Sequence, residues 1–326
     1  MLTFENGVLV PQEITFGESI HGVLENTIPK TEYHSSSRNG YQGMRVGTAD
    51  GRTVGIELEL TFGSQRVAER ATKEVSRAII GAGIGEDQFT IDRDGSLHDE
   101  GFEVVMPYGE VTEYLGYLET MLKNPIFNHV DFSSGLAGLH VSVARDNQAA
   151  SGFYYVLESL FSKAALTNST YTSYSDHIVT AFGLRVSSEY AELFTEEQIQ
   201  SDVRLLSRGN APEEIKYRAV NFKGSRSRPV EFRLFSPTVK FSEMKTRILL
   251  AHAAVEYATF ISSQYNLASE LVERLRMDSE TVWPLFYVWL KDKELYSTLA
   301  EKLVEDEDFV IAVESLTVPY NPVIGE

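Results

Sequence analysis

Glu57 and Glu59 stand two apart in Gly55-Ile56-Glu57-Leu58-Glu59-Leu60, where apolar and polar residues alternate. Successive side chains of a strand point to opposite faces, so the two carboxylates share one face while Ile56, Leu58 and Leu60 share the other. At a rise of about 3.3 Å per residue, the carboxylates sit roughly 6–7 Å apart. That spacing suits ligation, from one side, of two metal ions about 3.5–4 Å apart. Three more segments repeat the pattern: Phe102-Glu103-Val104-Val105, Leu139-His140-Val141-Ser142-Val143 and Val230-Glu231-Phe232-Arg233-Leu234. Each sets a carboxylate, an imidazole or a guanidinium opposite an apolar face. Any one of them alone reads as a strand with a solvated side, and Glu231 with Arg233 reads equally well as an in-sheet ion pair. Together they form the ligand set of a metal–nucleotide site.

Oxygen and imidazole donors without thiolates suit Mg²⁺ or Mn²⁺ better than zinc. On this reading Glu57, Glu59, Glu103, His140 and Glu231 hold metal, and Arg233 grips a phosphoryl group through forked hydrogen bonds. Arg218 and Asn221, in Tyr217-Arg218-Ala219-Val220-Asn221-Phe222, lie one strand earlier and offer another phosphate contact. Ser142, on the His140 face of its strand, joins them on the nucleotide side. Asp92 and Asp94 share a face if their strand runs on to Gly95. Asp94-Gly95-Ser96 is then first a turn and second a substrate or metal contact, because a calcium loop would need further acidic ligands that are absent. Arg226 and Arg228 fall in a turn and read as solvated.

The elements that must position these groups follow from periodicity. Val67, Ala71, Val75, Ala78 and Ile79 predict a helix that Gly81, Gly83 and Gly85 would stop. A second helix is expected from about Glu110 to Lys123, ended by Asn124-Pro125. Phe153, Val156, Leu157, Leu160, Phe161 and Ala164 predict a third, and Thr195-Glu196-Glu197-Gln198 has the form of a capping box opening another. The first fifty residues look irregular or weakly stranded. From Ser242 onward helical periodicity dominates, through Ile248 to Phe260, around Leu267 to Met277, and on both sides of Lys291. The expectation is an α+β body over residues 1–240 and a helical C-terminal subdomain over 241–326 packed on it.

Composition excludes several classes. The 326 residues are 43% hydrophobic and 23% charged, with a net charge of −18 and no cysteine. No run approaches the 18 or so apolar residues of a membrane span, and Met1-Leu2-Thr3-Phe4-Glu5-Asn6 lacks a secretory pattern. No disulfide framework, thiolate zinc site or cysteine nucleophile is available. The expectation is a cytoplasmic protein, binding neither nucleic acid nor anionic membrane, with homo-oligomerisation open. There is no GxxxxGK[ST] loop, no HExxH helix and no GxSxG elbow, so a nucleotide's phosphates must be met by metals and arginines.

The order of these pieces resembles the superfamily of glutamine synthetase and glutamate–cysteine ligase, and within it the amidoligases of phages and bacteria. The residues that carry the resemblance are Glu57-Leu58-Glu59, then Asp94-Gly95-Ser96-Leu97 with Gly101-Phe102-Glu103-Val104-Val105, then Gly138-Leu139-His140-Val141, then Glu231-Phe232-Arg233. Tyr217-Arg218-Ala219-Val220-Asn221 looks like the amidoligase segment just before the last motif. The match spans about residues 55–238. It implies a curved, largely antiparallel sheet of the glutamine synthetase catalytic type, flanked by helices. It also implies an ATP- and Mg²⁺-dependent (or Mn²⁺-dependent) carboxylate–amine ligase, which phosphorylates an acid and lets an amine attack the acyl phosphate. Glu59 and Glu103 would bind the metal facing the substrate. Glu57, His140 and Glu231 would hold the metal on the ATP phosphates, and Arg233 with Arg218 would stabilise the transferred phosphoryl group. The second acidic residue that glutamine synthetases carry after the Glu103 position is missing, and Asp94 or Glu110 is the candidate substitute. The rival readings are a phosphotransferase on the same fold and a non-catalytic acidic interaction or virion-associated protein. The acid and amine substrates, whether small molecules, peptides or proteins, are not legible.

Overall fold

The computed structural model describes residues 2–5, 8–11, 45–46, 52–92, 94–144, 156–157, 159–161, 173–185, 219–222, 229–264 and 279–316. Two short strands, β1 (Leu2–Glu5) and β2 (Val8–Pro11), form an antiparallel hairpin. The other described strands belong to one open, mainly antiparallel sheet of eight. They are β3 (Arg45–Val46), β4 (Thr53–Thr61), β5 (Thr90–Asp92), β6 (Gly101–Val105), β7 (Tyr108–Glu110), β8 (Leu139–Val143), β9 (Val220–Phe222) and β10 (Val230–Phe235). Only the β3–β7 pair is parallel. The fold is α+β.

β4 is the central strand. β8 pairs with it along one edge, while β7 and then β6 pair along the other. At the handover between β7 and β6, the Ile56 amide donates not to a strand but to the hydroxyl of Tyr114, at 3.2 Å. Tyr114 is fully buried, and burial raises its phenol far above the ordinary range. A buried backbone N–H without an acceptor would cost about 1–3 kcal/mol, so this tyrosine completes the sheet rather than merely filling space.

The faces of β4 alternate as expected, although Gly55, Glu59 and Thr61 of the polar face are themselves buried. Val54, Ile56, Leu58 and Leu60 are almost fully buried and lie in register with Val143, Val141 and Leu139 of β8 and with Val104 and Phe102 of β6. Helices cover this apolar face: α1 (Gln65–Gly81), α2 (Val111–Leu122) and α4 (Phe241–Gln264), with α3 (Ser175–Phe182) packed against α4. α1 stops at the predicted glycines, with Gly83 in the left-handed region at φ 99°. Val67, counted among its inward positions, is instead 41% exposed, because the inward stripe begins only at Ala68. α2 begins where expected, and Glu110 caps it by accepting from the amides of Thr112 and Glu113. Of the predicted third helix, Val156, Leu157, Leu160 and Phe161 are buried, while Phe153 and Ala164 lie outside the described residues. The Thr195–Gln198 capping box and the Leu267–Met277 helix also lie outside them.

Beyond residue 240 the described residues are helical: α4, α5 (Ser279–Leu290), α6 (Ser297–Leu303) and α7 (Glu307–Glu314). They are anchored by rings. Trp283 of α5 stacks on Phe182 of α3 with centroids 5.9 Å apart, meets Phe161 edge-on, and donates its indole N–H to the carbonyl of Leu160 at 3.0 Å. A second tie is ionic: Arg52, beside β4, pairs with Glu256 of α4 and also donates to the Ala144 carbonyl. No helix among the described residues is long and apolar enough to cross a membrane.

Gly101 opens β6 where the chain leaves a 3-10 turn and closes on β4. A Cβ there would fall 2.6 Å from the Leu60 carbonyl oxygen and 3.0 Å from the Leu97 Cβ. Neither neighbour can swing aside. Gly101→Ala is therefore expected to lower unfolding free energy by about 1–3 kcal/mol in urea titrations, whereas the same change at open Gly116 moves it toward greater helix stability.

A candidate metal centre on the polar face of the sheet

Register places the polar residues in three rows on the face opposite the apolar core. Asp92, Glu103 and Glu59 are direct cross-strand partners across β5, β6 and β4. In the next row Thr90, Val105, Glu57 and His140 are aligned. In the third, Gly55, Ser142, Glu231 and Asn221 follow one another across β4, β8, β10 and β9. Glu57, Glu59, Glu103, His140 and Glu231 come together on this one face. Because partners in an antiparallel ladder share a face, this follows from pairing alone.

His140 lies at the middle. Its Nδ1 is 3.4 Å from Glu57 Oε2 and its Nε2 is 4.0 Å from Glu59 Oε1. Two sets of ligand atoms result, each with its members within 4.8 Å of one another: Glu57, His140 and Glu231, and Glu59, Glu103 and His140. These distances leave room for an ion bridging each set, and carboxylate oxygens with an imidazole nitrogen suit Mg²⁺ or Mn²⁺. Glu231 is fully buried. It accepts from the Asn221 amide at 3.1 Å and from Arg233 at 3.4 Å, and these two donors make its burial tolerable. Arg233 keeps 21% of its side chain exposed, so it spans from the buried carboxylate to the open side of the sheet. Between Phe232 and Phe235 the β10 register slips against β8, a bulge that re-aims the strand just where Arg233 sits.

Glu59 is 5% exposed, and its carboxyl is pushed above the ordinary range. Burial is the main cause, with the negative charge of Asp94 adding to it; His140, Arg185 and Arg233 pull the other way without prevailing. Burial rather than an excess of like charge therefore sets the direction of this shift. Asp94 is buried, its Oδ1 accepting from the Ser96 amide at 2.8 Å; it caps a 3-10 turn, since β5 ends at Asp92 rather than running on to Gly95. Of the two proposed substitutes for the missing acidic ligand, Asp94 therefore stands beside Glu59. Glu110 does not serve, because its carboxylate is held at the N-terminus of α2 by Thr112 and Glu113 and its nearest charged influence is His252. Ser142 is half-buried between Gly55 and Glu231 in the register. Arg218, Arg226 and Arg228 lie outside the described residues.

Arg185 is a member of the site that sequence reading missed. It follows α3, whose helix ends on Gly183 in the left-handed conformation. A Cβ on Gly138 would lie 3.2 Å from both terminal nitrogens of Arg185 and 3.2 Å from Glu59 Oε2. Gly138 thus lets a guanidinium and a carboxylate close in from two sides. Only its position after a glycine-capped helix marks Arg185 in the sequence, and that is no signal of chemistry.

No protein-family model matches this chain, and no curated protein matches it.

A raised pKa carries a sign for stability. Glu59 holds its proton more tightly when folded, so its contribution is fully present below about pH 4.5 and is lost as pH rises through the elevated value. Glu59→Gln, isosteric and always neutral, should therefore make the chelator-treated protein more stable than wild type at neutral pH, with the difference vanishing near pH 4. Urea midpoints measured across that range check this.

Proposed function

We propose that the protein is an ATP- and Mg²⁺-dependent carboxylate–amine ligase of the glutamine synthetase and amidoligase type, forming an amide through an acyl phosphate. The observation that carries the reading is the division of ligands around His140. One set joins His140 to Glu57 and Glu231 and the other joins it to Glu59 and Glu103, and the carboxylates divide as the family resemblance implies for the phosphate-side and substrate-side metals. The finer expectation for the sheet, a curved one of the glutamine synthetase catalytic type, belongs to the same proposal.

The chain's own residues would act as follows. Glu57, His140 and Glu231 would hold one ion and Glu59 with Glu103 the other. When bound, such ions supply charge neutralisation on a polyphosphate and orientation of its terminal group. Asn221 and Arg233 fix the rotamer of Glu231, so this ligand is in place before an ion arrives. Arg233 reaches from Glu231 toward the open side, where its fork would offset charge gathering on a transferred phosphoryl group. Arg185, with both terminal nitrogens near Gly138, presents a second positive group at the Glu59 end, suited to an anionic group of the acid. Asp94 beside Glu59 would complete the donor set at that end or accept a proton there. An acyl phosphate is destroyed by water, and the low exposure of Glu59, Glu103 and His140 favours a dry floor beneath it.

Thermal shift assays with Mg·ATP test the reading directly. A ligand present at 100 times its Kd stabilises by about 2.7 kcal/mol, a rise of several degrees in Tm for a chain of this size. The rise is expected in wild type and should be absent in Glu57→Ala and His140→Ala. No rise in wild type at millimolar Mg·ATP would overturn the ligase reading. Release of ADP with a phosphorylated, non-amide product would reassign the site to a phosphotransferase.

A further inference from the structure

Arg247 lies on α4, outside every motif discussed above, yet it touches the segment that delivers Arg185. Just past α3, the chain pairs with the end of β10. The Ser236 amide donates to the Gly183 carbonyl at 2.8 Å, the Arg185 amide donates to the Leu234 carbonyl at 2.6 Å, and Leu184 bridges Phe235 between them. These rungs tie Arg185 to the bulged part of β10 that follows Arg233. One joint thus sets the backbone of both guanidiniums.

Arg247 closes that joint from outside. It is 7% exposed, donates from one terminal nitrogen to the Ser236 carbonyl at 2.8 Å, and approaches Glu243 with the other at 3.4 Å. Its guanidinium occupies the space a side chain at position 183 would need: a Cβ there would fall 2.3 Å from the nearer nitrogen and 2.8 Å from Cζ. Gly183 serves twice, supplying the φ of 60° that ends α3 and the bare surface on which Arg247 rests. A second effect is electrostatic. Burial first, and then the like charge of Arg185, depress the basicity of Arg247, while Glu243 supports it. The two guanidiniums are thus near enough for each to feel the other's charge, while the terminal nitrogens of Arg185 lie at Gly138, beside Glu59.

We propose that Arg247 is a positioning residue, which clamps the 183–185 segment to the end of β10 and thereby holds Arg185 at the Glu59 end of the site. The consequence for nucleotide and acid binding rests on the ligase reading; the clamp itself does not. Hydrogen exchange followed by mass spectrometry, with titration of Mn²⁺ alone and of Mg²⁺ with a non-hydrolysable ATP analogue, separates the two. In Arg247→Gln and in Gly183→Ala, exchange across 183–185 and 234–237 should quicken by about tenfold or more while that of 56–60 stays at the wild-type rate. Affinity for the analogue should fall about tenfold, with Mn²⁺ binding little changed. Arg247→Lys, which keeps the charge and one donor, should recover part of both losses; it also serves if the glutamine variant does not fold. Unchanged exchange at the joint in these variants would overturn the clamp. A loosened joint with undiminished analogue affinity would overturn its positioning role. If wild type binds no analogue, the ligase reading fails, and the exchange data still decide the clamp.

Discussion

β4 is hydrogen-bonded along both edges, to β8 on one side and to β7 and β6 on the other, and this double pairing holds the rest of the structure in place. A strand has a side-chain period of two, so a slip by one residue would carry Glu57 and Glu59 into the apolar core and Leu58 out of it. The two edges are locked by different means. On the β8 side, Ile56 and Leu58 pack opposite Val141 and Leu139. On the other, Gly101 fits closely under the Leu60 carbonyl, and the Tyr114 hydroxyl meets the one amide that falls between two partner strands. With that register set, the positions of Glu103, His140 and Glu231 follow from ladder geometry, and no loop needs to find them.

Charge organises the polar face as pairing organises the apolar one. Glu59, Glu103, Asp92 and Asp94 are all buried at one end, while Glu231 at the other is fully enclosed. Burying so many carboxylates without compensation would cost far more than a domain's net stability. Compensation is local and unequal. Glu231 has an amide and a guanidinium at hydrogen-bonding distance, whereas burial raises the Glu59 carboxyl above the ordinary range. The two ends of the polar face thus meet the cost of burial differently, through close hydrogen bonds at Glu231 and through a carboxyl that holds its proton more tightly at Glu59.

Much of this was legible in the chain because its signals are local. Alternation marked β4, β6, β8 and β10, and an apolar stripe marked α1 and α2. The carboxylate and histidine positions came with the strands, since face assignment needs only parity. What was not legible depends on contacts distant in sequence. Arg185 reaches Glu59 only because Gly138 leaves space and because α3 ends on Gly183. Glu110 looked like a spare acidic ligand, yet cap geometry, visible only once α2 is built, commits it elsewhere. Val67 shows a smaller form of the same limit: helical spacing marks a stripe, but the turn at which the stripe enters the core is set by the packing of α1.

His140 carries one more consequence. A neutral imidazole has a single lone pair available to a metal, because its other nitrogen bears the proton. The two ligand sets each count His140 as a member, and its Nδ1 lies nearer Glu57 while its Nε2 lies nearer Glu59. They cannot both have it. Whichever ion takes the lone pair leaves the other with carboxylates alone, and fixes the ring proton on the side facing that second ion. Were both positions to take an ion, only one could use the imidazole, and the tautomer of this one buried ring would report which of them does.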